Sequence, residues 1–216
     1  MCKNKLTGGT FSILGDSYST FQGCIPSENS CYYPQPENVD DVLRAEDTWW
    51  YLWMQSNGMR LLCNESYSGA TVCTHVRDTQ PPASSFVVRA KHLADCTDET
   101  GKGPDYIFLF GGTNDDWLNR ERGQLQFENW TEEDLRKVLP AYCYVLDTLC
   151  NQHPGACLVC VINSGLDPRL AEGLQKAGNH YGAAIVPLKD ISKQHGHPTA
   201  LGMKSIADQI DAVLKN

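Results

Sequence analysis

The segment Thr10-Phe11-Ser12-Ile13-Leu14-Gly15-Asp16-Ser17 is an apolar run that stops at Gly-Asp-Ser. A buried strand ending this way hands a small nucleophile to a loop, and Ser17 is the candidate. A serine hydroxyl is a weak nucleophile and needs a base within hydrogen-bond reach. Its attack on an ester carbonyl makes an oxyanion, which needs preorganised N–H donors. The chain offers residues of the right types for both needs. His197 is the candidate base. Gly69 can give a backbone N–H, because glycine lets the chain come close to a ligand. Asn114 can give an amide N–H from its side chain. Each residue alone also has a plain reading: Ser17 as an N-cap, Gly69 and Asn114 as turn residues, His197 as a helix cap. Their occurrence on separate loops of one chain favours the chemical reading.

Those loops need a frame. Apolar strands are expected at residues 10–15, 60–63, 105–110, 156–162 and 183–187. The third, Tyr106-Ile107-Phe108-Leu109-Phe110, is apolar on both faces, as a central parallel strand should be. Helices are expected at 40–56, 86–94, 131–150, 168–179 and 198–214. Asn57-Gly58 should close the first. Thr131 should cap the third, with Pro140 bending it. Trp49, Trp50 and Trp53 fit helical spacing and read as core. Strands alternating with helices imply a five-stranded parallel sheet covered on both faces. In such sheets ligands bind at the loops beyond the strand C-termini. Residues 21–36 are irregular and should wall the pocket. Residues 74–84, with Arg77, Asp78 and Pro81-Pro82, and residues 117–130 read as surface loops.

Composition excludes several classes. The chain has 216 residues and a formal net charge of −8, which suits one domain spanning 1–216. With no basic run, nucleic acid is not an expected partner. No apolar run approaches the ~18 residues of a membrane span. The start, Met1 to Gly9, has no apolar signal core, which leaves open a cytoplasmic protein or one whose signal has been removed. Of the ten cysteines, most read as buried free thiols. Cys157 and Cys160 share a strand at odd spacing and should face opposite sides. Cys143 and Cys150 should share a helix face, and Cys24 and Cys31, which bracket a loop, are the best disulfide candidates. The sequons at Asn64 and Asn129 are given no role.

Taken together, Gly15-Asp16-Ser17-Tyr18-Ser19, Gly69, Gly112-Thr113-Asn114-Asp115 and His197-Pro198 resemble the SGNH (GDSL-type) hydrolases, in that family's order and over almost the whole chain. The resemblance implies a three-layer α/β/α, flavodoxin-like fold. It implies Ser17 as nucleophile and His197 as general base. The Ser17 N–H, Gly69 N–H and Asn114 amide would form the oxyanion hole, with no metal or organic cofactor. It also implies small acyl esters as substrates, acetyl groups on carbohydrate among them. The alternatives are a lipid or thioester acylhydrolase, an acyltransferase, or an inactive binding protein on the same fold. One position departs from the family: Gln194 stands where an aspartate usually precedes the histidine. Three arrangements remain open. The Gln194 backbone carbonyl accepts from the His197 ring, Asp190 folds in as the acid, or the site is slow or degenerate. His195 is a rival base, although His197 precedes the proline as the family's histidine does. Asp16, Asp115 and Asp116 are read as side chains that hold their loops through backbone N–H groups.

Overall fold

The structure is a computed structural model and describes residues 7–35, 41–75, 78 and 83–215. Cys2, Asp40, Arg77 and Pro81-Pro82 lie outside the described residues. Five strands, β1 (Thr10–Gly15), β2 (Arg60–Asn64), β3 (Tyr106–Phe110), β4 (Cys157–Ile162) and β5 (Ala184–Pro187), form one sheet in the order β2-β1-β3-β4-β5. All four pairings are parallel. This is the flavodoxin-like order, and the direction of strand addition reverses between β1 and β3. A separate two-residue hairpin, β6 (Lys193–Gln194) and β7 (His197–Pro198), stands beyond the sheet.

The helices are α1 (Trp49–Asn57), α2 (Phe86–Arg89), α3 (Thr113–Trp117), α4 (Val138–Gln152), α5 (Pro168–His180) and α6 (Ala200–Leu214). Each central strand is buried on both faces, so its alternating side chains feed two cores. Leu14, Ile107, Leu109, Leu158 and Cys160 pack with Leu146 of α4 and Leu174 of α5. Phe11, Ile13, Phe108, Phe110 and Val159 pack with Trp49 and Trp53 of α1 and Ile206 of α6. Trp53 meets Phe11 and Phe108 edge-on, with ring centroids 5.3 and 4.8 Å apart. The tryptophans of α1 are therefore core. Cys157 and Cys160 face opposite cores, as the strand period requires.

Several boundaries differ from the sequence reading. α1 begins at Trp49 because Arg44 and Asp47 close a 3-10 turn of their own, Arg44 N donating to Asp47 Oδ2 at 3.1 Å. Its expected terminator holds: Gly58 takes φ 58°. Thr131 and Asp134 bond reciprocally, but they close the turn that leads into a short 3-10 helix (Asp134–Arg136) and do not cap α4. Pro140 then falls in the first turn of α4, where a missing N–H removes no helical bond, so it does not act as a bend. Thr199, not His197, caps α6, its hydroxyl accepting from Gly202 N at 3.2 Å.

The cysteines also differ. Cys63 and Cys157 are disulfide-bonded, Cys63 to Cys96 with Cα atoms 6.0 Å apart. Cys24 and Cys31 are free. Instead of pairing, Cys31 donates to the Tyr33 carbonyl at 3.1 Å. The Cys63–Cys96 bond ties edge strand β2 to the 3-10 helix (Ala90–Asp95) that continues α2. Among the described residues, no helix is long and apolar enough to cross a membrane.

Candidate active site

β1 ends at Gly15, where any side chain would collide. A Cβ there would sit 2.6 Å from Ser66 Oγ and 2.7 Å from Ser19 Oγ. The chain then turns into a 3-10 helix, Ser17–Ser19, capped by Asp16, whose Oδ1 accepts from Tyr18 N at 3.0 Å. This turn projects Ser17 above the end of the sheet. Asp16 is fully buried, and that burial pushes its carboxyl up to about 7. Among the described residues its other oxygen, Oδ2, has no hydrogen-bond partner.

His197 reaches the same point from the far end of the chain. Its Nε2 lies 2.9 Å from Ser17 Oγ. Its Nδ1 lies 3.3 Å from the His195 carbonyl oxygen. A carbonyl only accepts, so the proton is assigned to Nδ1, which leaves Nε2 as acceptor for the serine hydroxyl. The carbonyl facing the ring thus belongs to His195 and not to Gln194. A hairpin explains this: Gln194 pairs with His197 across the strands, while His195 and Gly196 form the turn at φ 49° and 81°. Among the described residues, neither Asp190, which is exposed at φ 50°, nor the Gln194 side chain hydrogen-bonds to His197. His195 contributes its carbonyl, and its ring is not the one at Ser17.

The imidazole is boxed by aromatic rings. Tyr32 stacks on it at 3.5 Å with planes 8° apart, Tyr18 lies tilted at 5.4 Å, and Trp117 stands edge-on at 6.0 Å. Beneath the box, Tyr18 OH donates to the Gly196 carbonyl and Tyr33 OH to the Pro198 carbonyl. Lys193 Nζ donates to Asn163 Oδ1 at 3.0 Å and to the Ser164 carbonyl at 2.9 Å. Asn163 in turn donates to Thr113 Oγ1 at 2.9 Å. The hairpin is thereby tied to the ends of both β3 and β4. Burial holds the Lys193 ammonium below its ordinary range, partly opposed by the Asp16 charge.

The loops bearing Gly69 and Asn114 form the facing wall. Gly69 takes φ 85° with open space where a side chain would be. The Asn114 amide donates to the Ala70 carbonyl at 2.8 Å. Asp115 accepts from Val72 N at 2.8 Å and Cys73 N at 3.3 Å. It clamps the Gly69 loop to α3, and burial raises its carboxyl. Asp116 Oδ2 accepts from Asp167 N at 3.1 Å. All three aspartates hold loops, as expected. Behind this wall Arg89 is buried and pairs with Glu65, while also donating to Asn29 Oδ1 at 3.1 Å. Asn64 is buried too, its amide donating to the Ser19 carbonyl at 2.9 Å.

The site therefore unites Ser17 with His197 directly, and Gly69 with Asn114 through Ala70 and Asp115. Tyr32 falls in residues 21–36, the stretch expected to wall the pocket, and it does so by stacking on His197. Sequence reasoning missed Trp117, Asn163 and Lys193; Trp117 carried one signal, as an aromatic residue in the polar stretch that follows Asn114.

The GDSL-like lipase/acylhydrolase family model matches residues 9–214 of the chain. No curated protein matches it in sequence. Among solved structures it is similar to a protein of Bacteroides uniformis described as a GDSL-like lipase, with 37% identity over 96% of this chain and 95% of that one, TM-score 0.85. A protein of Bacteroides ovatus, also described as a GDSL-like lipase, is 36% identical over 96% of this chain and 98% of that one, TM-score 0.84. An acetyl xylan esterase of Butyrivibrio proteoclasticus shares the fold at 16% identity, over 97% of this chain and 64% of that one, TM-score 0.57.

Proposed function

Because the chain belongs to the GDSL-like lipase/acylhydrolase family, we propose that it is a serine esterase that removes small acyl groups, acetyl on carbohydrate among them, through an acyl-enzyme on Ser17. The observation that carries this reading is the 2.9 Å contact between Ser17 Oγ and His197 Nε2. As the hydroxyl attacks the ester carbonyl, Nε2 takes its proton. The resulting imidazolium is stabilised through Nδ1–H by the His195 carbonyl and by the electron-rich face of Tyr32. The carbonyl oxygen becomes an oxyanion, received by the Ser17 and Gly69 N–H groups and by the second amide N–H of Asn114. Nε2 then returns the proton to the leaving alcohol. Water enters, loses a proton to Nε2 as its oxygen bonds to the acyl carbon, and the acid departs as the acyl–Oγ bond breaks and Nε2 returns the proton to Ser17 Oγ.

Among the described residues a carbonyl faces Nδ1 where a serine-protease triad has a carboxylate. It fixes the tautomer while adding no charge. The preference for carbohydrate is supported by Trp117 and Leu118, which are 55% and 60% exposed beside the site and offer a flat apolar face of the kind sugars stack on. The fold shared with an acetyl xylan esterase supports the acetyl-ester reading.

The test is hydrolysis of p-nitrophenyl acetate together with fluorophosphonate labelling. Wild type should turn over the ester and take up one label. Ser17→Ala should do neither, with kcat down by about 10³-fold or more. Equal rates in the two proteins would overturn the assignment, and a silent binding protein would remain unlabelled.

A further inference from the structure

Two cavities open beside the oxyanion wall. The inner one, of about 210 Å³, is lined by Gly69, Thr71, His75, Ser84, Leu118 and Arg120. The outer one, of about 470 Å³, shares His75 and Arg120 and is also lined by Asp78, Glu132, Leu135 and Arg136. Arg120 thus stands at the wall common to both. Its backbone N–H donates to the Asp115 carbonyl at 2.9 Å, so it belongs to the same rigid piece as Asn114.

The state of its guanidinium is unusual for this protein. Arg44, Arg60, Arg89, Arg122 and Arg136 each meet a carboxylate. Among the described residues Arg120 and the exposed Arg169 meet none, and of the two only Arg120 has a buried Nε with no acceptor. A buried donor left without a partner is costly, and a guanidinium offers a planar fork that matches a carboxylate. The described lining of the inner cavity contains no acid. In the outer cavity Asp78 is already engaged by the N–H groups of His75, Ser84 and Ser85. Glu132 makes the outer cavity the poorer place for an anion.

We propose that Arg120 and the inner cavity form an anion subsite, so that the preferred ester carries a carboxylate close to the scissile bond. This rests on the esterase reading above, because Gly69 is both an oxyanion donor there and part of this cavity's wall. The subsite recognises the carboxylate, whichever side of the ester bears it. Thr71 already donates its hydroxyl to the Cys73 carbonyl at 2.8 Å; of the remaining polar lining, His75, Ser84 and Arg120, only Arg120 brings a charged fork.

Two matched substrate pairs test this. O-acetylated methyl glucuronide against O-acetylated methyl glucoside places the carboxylate on the alcohol side. Mono-p-nitrophenyl glutarate against p-nitrophenyl butyrate places it on the acyl side. The readout is the ratio of kcat/KM, charged over neutral. Wild type should give a ratio of about 10 or more in at least one pair, the size expected of a charge-assisted fork. Arg120→Met should bring it near one. Arg120→Lys, which keeps the charge but loses the fork, should fall between, and stands in if the methionine variant does not fold. A wild-type ratio near one in both pairs overturns the proposal. So does a ratio that survives Arg120→Met, including a variant that loses both substrates in proportion. Failure of the esterase reading looks different: wild type cleaves no ester, neutral or charged. Calorimetric titration then reads the subsite without turnover. Glucuronate should bind wild type more tightly than glucose and lose that advantage in Arg120→Met, and equal binding of the two sugars refutes the subsite.

Discussion

Asp16 immediately precedes the nucleophile, with one oxygen bonded to Tyr18 N and the other, among the described residues, buried without a partner. Burial pushes its carboxyl up to about 7, whereas an aspartate in an unfolded chain ionises near ~3.9. Between those two values the native state holds a proton that the unfolded state has lost. The stability that Asp16 allows therefore declines as pH rises through that window and is lowest above about 7. Asp16→Asn cannot ionise but keeps the oxygen that Tyr18 needs. Relative to wild type, the variant should gain on the order of 1–3 kcal/mol between pH 5 and pH 8. Urea unfolding at several pH values measures this, and a difference that is flat with pH would show that Asp16 carries no such proton. Its role as a loop-holder was legible from its place beside Ser17. The orphaned Oδ2 was not, because it depends on how completely distant segments bury it.

α3 and the Gly69 loop act as one element because the Asp115 carboxylate bridges them. Asp115→Ala leaves the N–H groups of Val72 and Cys73 without that acceptor. The protein should lose about 2–3 kcal/mol. In p-nitrophenyl acetate hydrolysis kcat should fall about tenfold or more with a smaller change in KM, since the loosened donors matter most in the transition state. Asp115→Asn retains one acceptor and should restore part of kcat. A loss in KM alone would mean that the clamp shapes binding and not the oxyanion wall. β1, β3 and β4 were readable because their largely apolar runs are five or six residues long and end in Gly or small polar residues, and β2 and β5 because each is a shorter apolar run that alternates with helices. The β6–β7 hairpin was not. Its strands are two residues each, too short for any period, and its position depends on Lys193 and Tyr18 reaching segments far away in sequence. The Nδ1 acceptor was misplaced by one residue for the same reason: the hairpin turn at His195 and Gly196 reorients that carbonyl.

At the scale of the molecule, two cores on one parallel sheet leave β2 as an edge strand backed by the 3-10 helix after α2. The Cys63–Cys96 bond staples that edge across a separation of 33 residues. Removing it with Cys63→Ser and Cys96→Ser should cost roughly 2–4 kcal/mol, chiefly by freeing the unfolded chain. Chemical denaturation with and without reductant measures this: reductant should weaken wild type by more than the double variant, which keeps the disulfide at Cys157. The count of ten cysteines raised the prospect of disulfides, but only the folded sheet shows which side chains meet. Sequence spacing favoured Cys24 and Cys31, which are near neighbours along the chain and pair with nothing.

Trp117 has a further consequence. Its indole is 55% exposed and stands 6.0 Å from His197, whereas Trp49, Trp50 and Trp53 are buried and Trp130 is only partly exposed. A dissolved quencher such as iodide therefore darkens chiefly this one fluorophore, and a ligand seated against the imidazole shades it. The protein carries its own optical gauge of site occupancy, one that reports binding without waiting for a bond to break.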